Sequence, residues 1–131
     1  MTLQDICTSL ETSRKLAEAG FEQENGIAYW SYKEENTYIL RHYNREGTLT
    51  IRAFTFNELW ECLPTQIHDN DEMIIYQLEC HKSSVDDSFT LGYNNIAIGE
   101  ENIFVMFNKY EPQEAAAELL LWCKQNGYLN D

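Results

Sequence analysis

P-Q-E-A-A-A-E-L-L-L-W-C-K-Q-N, from Pro112 to Asn126 and followed by Gly127-Tyr128, is the stretch on which the fold turns. Ala116, Leu119, Leu120 and Cys123 recur at i, i+3, i+4 and i+7, and Ala115 and Trp122 widen the stripe, so one broad helix face is built for burial. Glu111, Glu114, Glu118 and Gln125 form a wet edge, toward which Leu121 drifts. Pro112 suits the first turn, where its missing N–H is not needed, and Glu111 and Glu114 sit near the positive end of the helix dipole. Gly127 is placed to take the left-handed conformation that ends a helix, letting Tyr128 or Leu129 fold back on the last turn. Burying Leu119, Leu120 and Trp122 supplies about 1.5–3 kcal/mol each, which predicts a helix laid across a sheet.

Working back from that helix, Ile103 to Phe107 (I-F-V-M-F) is apolar on both faces and predicts a central strand with a helix over one side. Ser88 to Tyr93 offers Phe89, Leu91 and Tyr93 to one face, Ile96 to Ile98 is a further short strand, and Glu72 to His81 alternates with Ile74, Tyr76, Leu78 and Cys80 on its dry side. Thr65 to Asp71 reads as polar loop. Thr55-Phe56-Asn57-Glu58 is a capping box opening a short helix that ends near Cys62, before Pro64. Upstream, Gly26–Tyr32 and Thr37–Tyr43 read as a hairpin, and Thr48–Phe54 follows the turn Asn44–Gly47 as a third strand of a meander. At the start of the chain, Thr8 with Glu11 reads as the capping box of a helix reaching Ala19, with Leu10, Leu16 and Ala17 on its apolar side and Gly20-Phe21 as its stop. The expectation is one α+β domain over residues 1–131. It is an antiparallel sheet of five to seven strands covered by the N- and C-terminal helices, with a short middle helix at one edge.

A chain of 131 residues is long enough to bury a core without metal or disulfide. Cys7, Cys62, Cys80 and Cys123 are widely separated, with no C-x-x-C pair, and read as small apolar fillers in a reducing cytoplasm. No signal-peptide pattern opens the sequence, and no apolar run approaches the ~20 residues of a membrane helix.

Charge is the global outlier: 22 acids against 9 bases give a net charge of −13. Between Asn57 and Glu101 there are ten acids and one Lys, Lys82. A field of that sign repels phosphate backbones and anionic membranes, so direct nucleic-acid or lipid binding is not expected, and it attracts a basic protein surface. Glu58, Glu61, Asp69, Asp71, Glu72, Asp86 and Asp87 are the candidate protein-binding residues, acting by electrostatic steering and then docking of exposed aromatics. An inhibitor or immunity protein that imitates nucleic acid is the extreme form of the same idea.

No cofactor, metal or catalytic group is expected. His68-Asp69-Asn70-Asp71-Glu72 has oxygen ligands but neither the glycine nor the length of an EF-hand loop. Cys80-His81 fails as a nucleophile and base, since strand neighbours point to opposite faces. Arg41, His42, Arg45 and Arg52, with Tyr38 and Tyr43, could clamp a nucleotide, and a small enzyme or nucleotide-binding domain using Arg41, His42 and Arg45 is the competing class. Cross-strand ion pairs account for the same residues. No phosphate loop, dinucleotide fingerprint, H-E-x-x-H or G-x-S-x-G occurs.

Taken as whole segments, S-L-E-T-S-R-K-L-A-E-A-G-F-E-Q-E (Ser9 to Glu24) with A-Y-W (Ala28 to Trp30), F-N-E-L-W-E-C-L-P (Phe56 to Pro64) and P-Q-E-A-A-A-E-L-L-L-W-C-K-Q-N-G-Y-L (Pro112 to Leu129) resemble small uncharacterised proteins of phages, prophages and gut Bacteroidetes-type genomes. The resemblance spans about half of the chain. It implies a mobile-element origin and a cytoplasmic setting, and brings no activity to any residue.

Overall fold

Two antiparallel sheets and four helices make up the α+β fold, in a computed structural model that describes residues 2–35, 37–42, 49–69, 74–95 and 102–129. In chain order the elements are α1 (Leu3–Ile6), α2 (Leu10–Glu18), β1 (Ala28–Glu34), β2 (Thr37–Arg41), β3 (Thr50–Ala53), α3 (Phe56–Cys62), β4 (Gln66–Asp69), β5 (Ile74–Lys82), β6 (Phe89–Asn95), β7 (Asn102–Lys109) and α4 (Pro112–Gln125). The strands divide into a sheet of order β2-β1-β3 and a sheet of order β4-β5-β6-β7. The single sheet expected from the pattern is therefore two. The alternating strands on either side of α3 look alike in sequence, and period alone does not say which edges join.

α4 behaves as its sequence requires. Ala115, Ala116, Ala117, Leu119, Leu120 and Cys123 are fully enclosed, because the helix rests on β6 and β7 and also meets α3 and α2. Three consecutive buried alanines mark a helix approached from more than one side, where larger side chains would hold the neighbours off. Its end is as predicted: Gly127 has φ +77°, the Tyr128 N–H reaches the Cys123 carbonyl at 2.9 Å, and the Tyr128 ring stacks on Trp122 at 5.4 Å. α2 ends by the same device, with Gly20 at φ +94° and the Phe21 N–H on the Leu16 carbonyl.

The start of α2 differs from expectation. Its N-cap is Ser9, whose Oγ accepts the Thr12 N–H at 3.1 Å. Thr8 is fully buried, and its Oγ accepts the Phe54 N–H at 3.0 Å and bonds the Ser13 hydroxyl at 2.7 Å. The carboxylate that reaches back to the cap is not Glu11 but Glu114 of α4, which accepts the Ser9 N–H at 3.1 Å and the Thr12 hydroxyl at 2.6 Å. α3 keeps its predicted box: Thr55 Oγ accepts the Glu58 N–H, and the Glu58 carboxylate accepts the Thr55 N–H.

Three strand expectations are corrected. β3 pairs with β1, not β2, so the first sheet is not a meander. Bonds between Thr8 and Phe54 and the bridge Cys7–Thr55 tie the end of β3 to the chain start, on the side of β1 away from β2. Gln66–Asp69, read as loop, is the edge strand β4, with Ile67 buried opposite Tyr76 as its one anchor. β7 is the last strand of its sheet, not a central one. Its two-sided apolar run comes from a bulge: Tyr93 pairs with Val105 and Asn94 with Ile103, leaving Phe104 as an extra residue. That turns Phe104 onto Tyr76, Trp122 and Tyr128 while Ile103 is left 53% exposed. The predicted strand at Ile96 to Ile98 and the turn at Asn44 to Gly47 lie outside the described residues.

The larger core gathers Leu16, Phe54, Leu59, Ile67, Tyr76, Leu91, Tyr93 and the inner face of α4. A smaller one, Cys7, Ala28, Trp30 and Ala53, lies between the first sheet and the chain start.

Candidate functional site

Those of the predicted acidic residues that are described come from three separate places in the fold. Glu58 and Glu61 stand one turn apart on α3. Asp69 ends β4 half-buried, and Asp86 and Asp87 are exposed in the turn between β5 and β6. Asp69 pairs with Ile74 at one end of β5 and the turn follows Lys82 at the other, so about 25–30 Å of strand separates the two groups. Asp71 and Glu72 lie outside the described residues. Asp86 accepts the Ser88 hydroxyl at 2.7 Å and the Ser88 N–H at 3.1 Å, which lowers its pKa and fixes the turn.

Glu58 is occupied inside the protein. Its Oε2 accepts from Arg52 Nη2 at 2.7 Å, the two side chains being only 13% and 10% exposed. Burial raises the pKa of this carboxyl, but the Thr55 N–H, the Arg52 guanidinium and the Thr55 hydroxyl outweigh it and hold it below the ordinary range. Arg52 also donates to the Glu22 carbonyl at 2.9 Å and lies 4.3 Å over the Phe54 ring, while its own N–H reaches Gln23. The strand alternation around Thr50 and Arg52 gave no sign of this, since a buried guanidinium needs a partner from elsewhere in the chain.

Glu61 opens instead onto a cleft of about 670 Å³ at the meeting of α1, the entry to β1, α3, the start of β6 and the start of α4. Ile6, Ile27, Phe56 and Phe89 supply its apolar walls, and Ile6 and Ile27 are left 39% and 52% exposed. Asp5, Glu58 and Glu61 supply its charge. The buried Gln113 amide, on the first turn of α4, donates to the Asp5 and Cys7 carbonyls and locks α1 to the helix that closes the cleft. Asp5, Ile6, Ile27 and Gln113 carry no sequence signal of this role. Ile27 reads as part of the strand Gly26–Tyr32 and Ile6 lies ahead of the first periodic run, so neither points to the cleft.

The groups considered for chemistry are not brought together. Burial pushes the Cys7 and Cys123 thiols up to about 11 and raises those of Cys62 and Cys80 as well, so none of the four is an activated nucleophile. Cys80 shares a face of β5 with Leu78, opposite Leu91, but is exposed there. His81 bonds Glu79 at 3.1 Å, not Cys80. Arg41 is half-buried on β2 opposite Tyr29, His42 is exposed, and Arg45 and Tyr43 lie outside the described residues. Arg52, the remaining member of that proposed clamp, is held by Glu58. Among the described residues no group of three or more His, Cys, Asp or Glu could hold a metal ion, and no helix is long and apolar enough to cross a membrane. No protein-family model, curated protein or solved structure matches the chain.

Proposed function

We propose that this is a non-enzymatic accessory protein of a phage or other mobile element, working in the cytoplasm by binding a basic protein partner through its acidic surface. One observation carries the reading: among the described residues, the cleft beside α3 is lined by three carboxylates and by no Lys, Arg or His, on a chain of net charge −13. Long-range attraction brings a basic partner in, and the exposed apolar groups beside those carboxylates give it somewhere to dock. The acids at the two ends of β5 add to the field. Raised thiol pKa values and the committed Arg52 favour binding over catalysis.

Immobilised protein challenged with host lysate over a salt gradient tests the reading. A partner of high isoelectric point that is retained at 0.05 M salt and released well before 1 M, where the screening length has fallen to about 3 Å, is the expected result. Retention of only neutral or acidic proteins would refute it. A nucleotide-induced rise in melting temperature abolished by Arg41→Ala would replace it with the nucleotide-binding class.

A further inference from the structure

Resting on the partner-binding reading above, we propose where and by what chemistry the partner is held: the 670 Å³ cleft takes a short segment in which a Lys or Arg alternates with aliphatic residues. The cation meets Glu61 and Asp5, and the aliphatic side chains cover Ile6, Ile27 and Phe56.

The sign of the charge is decided residue by residue. Glu58 is answered by Arg52 at 2.7 Å, and one Asp5 oxygen accepts the Thr2 N–H at 2.7 Å and the Thr2 hydroxyl at 3.0 Å in the α1 capping box, which leaves the exposed Glu61 and the second Asp5 oxygen for a ligand. Several of the donors at the two helix starts that border the cleft are already committed. Pro112 has no N–H, the Glu114 N–H is bonded to the Glu111 carbonyl, and the Glu58 and Thr55 N–H groups are taken up by the α3 capping box. Among the described residues the Lys82 ammonium comes within 5.8 Å of the Phe89 ring and is not part of the lining.

Charge alone is not the fit. Ile6 and Ile27 keep 39% and 52% of their surface in water within a few residues of the carboxylates, so a purely cationic ligand would leave the apolar wall wet. The volume lies in the ~300–1,000 Å³ range of ligand pockets, room for a few side chains rather than a helix face. A second copy of this chain does not fit the chemistry, because it would bring another −13 to the same carboxylates.

The probe is a fluorescein-labelled hexapeptide alternating leucine with lysine, followed by polarisation and by amide NMR of the whole protein. Two controls alternate glycine with lysine and leucine with glutamate. The leucine–lysine peptide should bind saturably and shift Ile6, Ile27, Phe56 and Glu61; the glycine–lysine peptide should be about tenfold weaker, and the leucine–glutamate peptide should not bind. Ile27→Ser and Glu61→Gln, both at exposed positions, should each weaken the first peptide about five- to tenfold with unchanged melting temperature. Equal affinity for the two cationic peptides, or no effect of either substitution, would overturn the cleft while leaving the acidic-surface reading standing. No salt-sensitive binding of any cationic probe would remove both.

Discussion

Replacing Arg52 by methionine isolates the buried pair that joins three parts of the fold. The guanidinium donates to Glu58 of α3 at 2.7 Å and to the Glu22 carbonyl at 2.9 Å, and its face covers Phe54. Methionine keeps most of the packing and removes the charge. What remains is a carboxylate only 13% exposed whose other donors are the Thr55 N–H at 2.9 Å and the Thr55 hydroxyl at 3.1 Å. Breaking one side of a buried pair costs about 3–5 kcal/mol, and the surviving Thr55 donors put this site at the lower end, about 3 kcal/mol. Glu58→Gln keeps an acceptor for Thr55, and Glu22 stays 3.7 Å from the guanidinium, so about 1–2 kcal/mol is expected there. The double variant leaves no stranded charge and should recover about 2 kcal/mol relative to the sum of the singles. Urea unfolding followed by tryptophan fluorescence reads these as midpoint shifts, roughly 1–2 M for Arg52→Met. The pH dependence has a fixed sign. Because Glu58 is held below its unfolded pKa of about 4.3, its contribution is full above that value and is lost as pH falls through the lower folded value. The gap between wild type and Arg52→Met, in which burial without the guanidinium raises the Glu58 pKa, should therefore be widest near neutral pH and close as pH falls into acid. Additive single variants, or a loss under 1 kcal/mol for Arg52→Met, would refute the reasoning.

Three further outcomes follow from the packing. Thr8→Val strands the buried Phe54 N–H and should cost about 1–3 kcal/mol, more than the ~1 kcal/mol of Ser9→Ala; the reverse order in urea melts would return the α2 cap to Thr8. Gly92→Ala would set a Cβ 2.0 Å from the Val105 carbonyl oxygen, an overlap with backbone that should cost about 1–3 kcal/mol or more, and an unchanged melting curve would contradict the β6–β7 register. Thiol labelling at pH 8 should modify Cys62 and Cys80 and spare Cys7 and Cys123, which are buried and pushed up to about 11; Cys7 reacting as fast as Cys62 would contradict its place in the core.

What the sequence made legible was local. α4, its glycine stop, the α3 capping box, the β1–β2 hairpin and the Leu91/Tyr93 face of β6 are each set by residues within a turn or two of one another. What it hid was joined across distance. Thr8 looks like a cap until Phe54 arrives to claim its hydroxyl, and Glu11 looks like the reciprocal carboxylate until Glu114 takes the role. Arg52 reads as a wet strand position until Glu58 meets it, and β7 reads as central because a bulge puts Phe104 on the same side as its neighbour. The candidate site follows the same division. Its two α3 acids were legible as acids, but Asp5, Ile6, Ile27 and Gln113 become one surface only when the start of the chain lies against α4.

The clasp of Glu114 on Ser9 and Thr12 spans 105 positions of the chain. A ribosome adding about 5–20 residues per second needs roughly 5 to 20 s to bring the second party to the first. Through that interval the emerging polypeptide has strands whose inward aromatics, Tyr76 and Tyr93 among them, lack the helix that covers them. Productive maturation is then a race between delivery of α4 and the capture of those uncovered strands by other chains, and slower translation past Lys109 would tilt it toward clumping.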